Sequence, residues 1–153
     1  MRRTAGIARA LCSADRGQAF AEMAVITPLL LLLLIGLVEI GRYAQLSIIV
    51  GNAARAGVSY GAQSLVAAND NTGMQNTATA DAQNDPNITA AGSHFCKCAD
   101  GTASTCLPTD CAANHRLVYV QVDVTGTFTS LLRWPGFRPA LTIPSRAVMR
   151  VTQ

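Results

Sequence analysis

The sequence predicts an α+β protein: a long N-terminal transmembrane helix, then a small domain beyond the membrane with a disulfide-bearing loop and an antiparallel β pair. Three observations predict it. Residues 23–38 are sixteen consecutive uncharged residues that include six successive leucines. Cys96, Cys98, Cys106 and Cys111 gather in one polar stretch. From residue 117 apolar and polar side chains alternate, as in a half-buried strand.

With 153 residues the chain holds one modest domain, and much of its apolar content is committed to that single run, which leaves little for an enzyme-sized cleft. The net charge of +3 sits at the N-terminus. Residues 1–17 carry Arg2, Arg3, Arg9 and Arg16 against Asp15, while the remainder balances eight basic against eight acidic residues. A nucleic-acid surface needs a basic patch to displace counterions along phosphates, so the composition supports no nucleic-acid partner.

As a helix, residues 23–38 would rise about 24 Å, short of a hydrocarbon core of about 30 Å. Residues 19–22 and 39–41 must therefore help to span. A helix apolar all round belongs in lipid or in a large core, and this chain is too small for the second. Four arginines precede the run closely, whereas only Arg42 and Arg55 follow within twenty residues, so the positive-inside bias places the N-terminus in the cytoplasm. The competing reading is a cleavable secretory signal, which shares the basic region and the apolar run. The run is long for that role, and the nearest small-x-small site, Gly51 to Ala53, lies far downstream.

Gly17 is followed five residues later by Glu22, at the mouth of the apolar run. This junction resembles the processing site of type IV prepilins and of the Flp and TadE-like proteins of tight-adherence systems. The resemblance implies that a prepilin peptidase cuts between Gly17 and Gln18, leaving residues 1–17 as a basic leader and Glu22 at the fifth mature position. Glycine suits such a site because its bare backbone admits a protease closely. A carboxylate at the edge of hydrocarbon costs on the order of 2 kcal/mol or more unless it is paired or snorkels. The resemblance supplies a partner for it: the free amine of Gln18 on a neighbouring subunit. A plainer reading keeps Glu22 in the headgroup layer or as a favourable charge near a helix N-terminus. Met23 stands where the Flp pattern has Tyr, a departure that favours a minor pseudopilin over the major pilin.

Residues 18–62 are read as one transmembrane and membrane-proximal helix. Glu39 and Arg42, three apart, are placed to form a helix ion pair. Gly41, Gly51, Gly57 and Gly61 each lower helix propensity by about 1 kcal/mol, which suits close helix packing or the ordinary small residues of such a helix. The stretch from Pro28 through Gly36, then Glu39 to Arg42, and later Ala53 to Gly57, resembles the N-terminal region of the TadE-like family.

Residues 63–116 are expected to be a polar linker with a cysteine loop, rich in Ala, Asn, Asp, Thr and Gly and without sustained periodicity. Cys12 stands apart in the leader. The four remaining cysteines read as two disulfides in an oxidising compartment. Since bonding Cys96 to Cys98 would close a very tight ring, each is expected to reach Cys106 or Cys111, with the choice open. Zinc is the alternative, because His94 and His115 add ligand types, but a Cys-x-x-Cys pair is absent and the metal set is read as none. Asn87 to Thr89 matches a short glycosylation pattern that arises often by chance.

Residues 117–153 are read as the antiparallel β region. Val118, Val120, Val122 and Val124 alternate with polar partners, and a second strand is expected over residues 145–152. Between them, Leu131, Leu132, Trp134 and Phe137 form either core or an apolar contact surface. This region resembles the C-terminal end of TadE-like proteins. With no Ser-His-Asp set, phosphate loop or paired carboxylates, no catalytic residue and no cofactor are expected.

The resemblance therefore implies a minor pseudopilin that helps to assemble Flp-type pili. Its implied partners are a prepilin peptidase, other pseudopilins or the Flp pilin, the pilus assembly machinery and the lipid bilayer. Its implied place is the bacterial inner membrane, single-pass, with the C-terminal domain periplasmic and a route into a surface pilus. A secreted or membrane-anchored disulfide-stapled protein, or an anchored thiol or zinc protein, is the alternative.

Overall fold

The computed structural model describes residues 4–107, 109–111, 115–131 and 140–152, with side chains described from residue 17 onward. The chain divides into two units, residues 1–41 and 42–153. The elements in chain order are α1 (Thr4–Gly61), α2 (Leu65–Asn69), α3 (Asn71–Asp81), β1 (Ile88–Cys98), β2 (Ala103–Ser104), β3 (Arg116–Thr129) and β4 (Ala140–Arg150).

The first unit is helical. Pro28 lies inside α1, where its missing N–H leaves the Ala24 carbonyl without its helical donor. One residue before it, the Thr27 hydroxyl donates to the Met23 carbonyl at 2.7 Å. Leu29 to Leu34 are all about half exposed or more, as expected of a helix with no polar face turned to water.

The second unit packs the end of α1, with α2 and α3, on one face of a four-stranded antiparallel sheet of order β2-β1-β3-β4. On α1 the residues Leu46, Val50, Ala53, Ala54 and Val58 recur at helical spacing and turn inward; all but half-buried Leu46 are fully buried. They meet Val118, Val120, Val122 and Val124, the inward half of the alternation in β3. Gly57 and Gly126 allow the close approach. A Cβ at Gly57 would stand 2.9 Å from the Met74 carbonyl oxygen, and one at Gly126 would stand 2.6 Å from a Val50 methyl.

The antiparallel pair expected at the C-terminus is present as β3 and β4, with Val122 opposite Ala147 and Gly126 opposite Ile143. β4 begins earlier than the expected strand, at Ala140, and it is an edge strand, which is where a sheet tolerates Pro144. Beyond β4, the Val151 amide donates to the Val118 carbonyl and Thr152 donates from both amide and hydroxyl to the Ala62 carbonyl. The last strand thereby satisfies a carbonyl left open just past the end of α1.

The expectation of loop over residues 65–116 is corrected. Two helices and an eleven-residue central strand lie in this stretch. Its inward positions in β1 are Ile88, Ala90, Gly92, His94, Cys96 and Cys98, mostly small or polar, so no apolar alternation marks the strand. What holds it is pairing on one side with β3 along its whole length, from Ile88 opposite Gly126 to Cys98 opposite Arg116. The helices are set by local caps: the Ser64 hydroxyl accepts from the Ala67 amide, and the Asp70 carboxylate accepts from the Gly73 amide at 2.8 Å. Of the apolar link, Leu131 is exposed, while Leu132, Trp134 and Phe137 lie outside the described residues.

Candidate functional site

Gly17 and Gln18 are neighbours on α1, and Glu22 lies one turn further along. The Gln18 amide donates to Glu22 Oε1 across one turn at 3.5 Å, a long contact that leaves the exposed carboxylate able to take a stronger partner. A Cβ added at Gly17, Gly36 or Gly41 would meet nothing within 4 Å. These glycines cost helix propensity and, among the described residues, serve no packing within the first unit. Residues 17–61 form a helix long and apolar enough to cross a membrane. This N-terminal apolar helix suggests a single-pass membrane anchor.

Glu39 and Arg42 are three residues apart on α1, as the spacing requires. The Arg42 guanidinium lies 5.4 Å from the centroid of the Phe128 ring, and Tyr43 meets the same ring edge-to-face at 5.7 Å. This stretch of α1 is thus clasped to Phe128 by a cation over the aromatic face and by a second aromatic ring, contacts of roughly 0.5–1.5 kcal/mol each.

The four cysteines pair as Cys96–Cys106 and Cys98–Cys111, with Cα separations of 5.1 and 5.5 Å. Each bond runs from the buried end of β1 to the loop that follows it, the arrangement expected once a Cys96–Cys98 ring is set aside. By loop-closure entropy each contributes about 3 kcal/mol. The loop is further shaped by Asp110, whose carboxylate accepts from the Thr105 amide and hydroxyl and from the Ser104 hydroxyl. His94 points inward near the first disulfide and His115 is exposed, and among the described residues no group of three His, Cys, Asp or Glu is arranged to hold a metal.

Three carboxylates are held below the usual carboxylate range. The Gly73 amide and then the Tyr60 hydroxyl depress Asp70; the Thr105 and Ser104 hydroxyls depress Asp110; the Arg146 guanidinium and Gln121 depress Asp123. A carboxyl with a lowered folded pKa contributes stability that is complete above its unfolded value and disappears as pH falls through the folded one. The midpoint of denaturant unfolding is therefore expected to be flat from pH 7 to about 5 and to drop below about pH 4. Asp70→Asn should flatten part of that drop, and an unchanged acid limb would show that this cap does not titrate with folding.

The Tyr60 hydroxyl bonded to Asp70 at 2.9 Å joins α1 to α3, a tether that the sequence reading did not single out. Its only local signal is an Asp three residues before Gly73, an N-cap pattern.

Residues 17–59 match the family model described as TadE-like protein. The match begins at the glycine of the junction and ends two residues before the end of α1. No curated protein and no solved structure matches the chain.

Proposed function

We propose, from the premise that residues 17–59 are those of a TadE-like, Tad pilus-associated membrane protein, that the chain is a minor pseudopilin that takes part in assembling tight-adherence pili after cleavage at Gly17. The observation that carries this reading is the unspent surface of α1. Its leucines are exposed, and among the described residues its glycines at 17, 36 and 41 pack against nothing in their own unit and Glu22 has only a long contact with Gln18. Small residues allow helix backbones to approach closely in a membrane, so this surface suits lateral packing against other pilin-like helices. The neighbour's Gln18 amine supplies the counter-charge that Glu22 lacks.

In this reading residues 1–17 stay cytoplasmic until removal, and the sheet domain with its two disulfides stands in the periplasm, where thiols are oxidised. A disulfide-stapled protein released by signal peptidase is the competing reading. Intact mass and N-terminal sequencing of the chain isolated from membranes, with and without thiol alkylation, separates the two. The expected result is a start at Gln18 with four alkylation-resistant cysteines. A soluble chain beginning after residue 50, or a retained leader, would reject prepilin-type processing.

A further inference from the structure

A small cavity of about 170 Å³ opens between α2 and the sheet, and it brings together His94, Cys96, Cys106 and Arg116. His94 and Cys96 lie two residues apart on the inward face of β1, about 7 Å along the strand. His94 Nδ1 is buried and, among the described residues, has no hydrogen-bond partner. A buried polar atom left unpaired in a folded protein calls for a role. Arg116 donates through Nη1 to the Cys106 carbonyl, which keeps a guanidinium beside the bond. Cys106 itself has φ 71°, the left-handed region that a side chain with a Cβ rarely adopts.

We propose that Cys96–Cys106 is a thiol–disulfide exchange site that accepts an external thiolate at Cys106, whereas Cys98–Cys111 is a structural cross-link. Access sets the direction of attack, because Cys106 is half-buried and Cys96 is only 4% exposed. The incoming thiolate forms a bond to Cys106 Sγ as the bond from Cys106 Sγ to Cys96 Sγ breaks. The electron pair leaves on Cys96 Sγ, so one disulfide replaces another and no net oxidation occurs. A cationic neighbour and a ring N–H donor favour a leaving thiolate, and Arg116 and the His94 ring stand in the cavity to supply them. Arg116 also stands opposite Cys98 in the β1–β3 register, but His94 and the cavity lie on the side of Cys96 and Cys106.

The test is exchange of the full chain in detergent with glutathione, followed by trapping of free thiols with iodoacetamide and peptide mapping. Glutathione on Cys106 with carbamidomethyl on Cys96 should appear before any label reaches Cys98 or Cys111. His94→Gln should slow this step on the order of tenfold while leaving the rate at Cys98–Cys111 unchanged. Repeating the reaction with a single-cysteine decapeptide shows whether a small or a peptide-borne thiol is the better partner. Equal opening of the two disulfides in the wild type, attack at Cys96, or an unaltered rate in His94→Gln would overturn the assignment. The site preference of the wild type is decisive even where the variant folds poorly.

Discussion

Replacing Glu22 by Ala is expected to leave the chain inserted in the membrane and cleaved, but to reduce surface pili at least tenfold. Glu22 sits at the mouth of the apolar run, and its removal lowers the cost of insertion, by on the order of 2 kcal/mol for a carboxylate at the hydrocarbon edge. Insertion therefore cannot be what the side chain serves. In the proposed assembly Glu22 pairs with a neighbour's N-terminal amine where the dielectric is low, and removing one partner of such a pair costs about 3–5 kcal/mol, more than the roughly 1.4 kcal/mol that separates tenfold changes in an equilibrium. Glu22→Gln keeps size and loses charge, so it should share the defect. Sheared pili and the membrane-bound amount of the protein are to be measured in parallel. Normal piliation in Glu22→Ala would remove the pairing from the mechanism.

The second large effect concerns folding. Gly57→Val is expected to destabilise the sheet domain by about 3 kcal/mol, because a Cβ there already stands 2.9 Å from the Met74 carbonyl and 3.1 Å from the Val122 methyls. Backbone on one side leaves no flexible group to move aside. For a domain of this size that corresponds to a fall in Tm on the order of 15 °C. Gly51→Ala should have the opposite sign, raising stability by up to about 1 kcal/mol, since a Cβ at Gly51 meets nothing within 4 Å and glycine weakens a helix. Thermal melts of both variants in detergent check the pair. A similar loss in Gly51→Ala would show that the two glycine environments are not distinct.

Gly51→Ala also bears on assembly. If small residues of α1 serve packing between subunits, a variant more stable alone should assemble less well, a separation of stability from function that a purely structural glycine would not show.

The elements that the sequence declares are those whose signal is local. Six leucines in series announce a helix for lipid, because no polar face remains, and the alternation of valines from Val118 to Val124 announces a strand with one buried face. The position of Gly17 and Glu22 at the mouth of the run is likewise readable, as is the need for Cys96 and Cys98 to bond elsewhere than to each other. The strand β1 was not legible, since Ala90, Ala91, Gly92 and Ser93 carry no β signal of their own and are extended only because β3 pairs with them. α3, with Gly73 and three threonines among its eleven residues, has equally weak propensity and depends on the Asp70 cap and on Met74 buried against α1 and the sheet.

Residue order alone thus determined the apolar helix, the charge asymmetry around it, the place of Gly17 and Glu22 at its mouth and the β3 alternation, because each rests on neighbours within a few residues. Only the tertiary structure decided which cysteine meets which, the close approach at Gly57 and Gly126, the tether from Tyr60 to Asp70, and the cavity that joins His94 and Arg116 to the Cys96–Cys106 bond. Those features depend on distances between segments far apart in the chain, and pairing of β1 with β3 sets them through a register that no local pattern encodes.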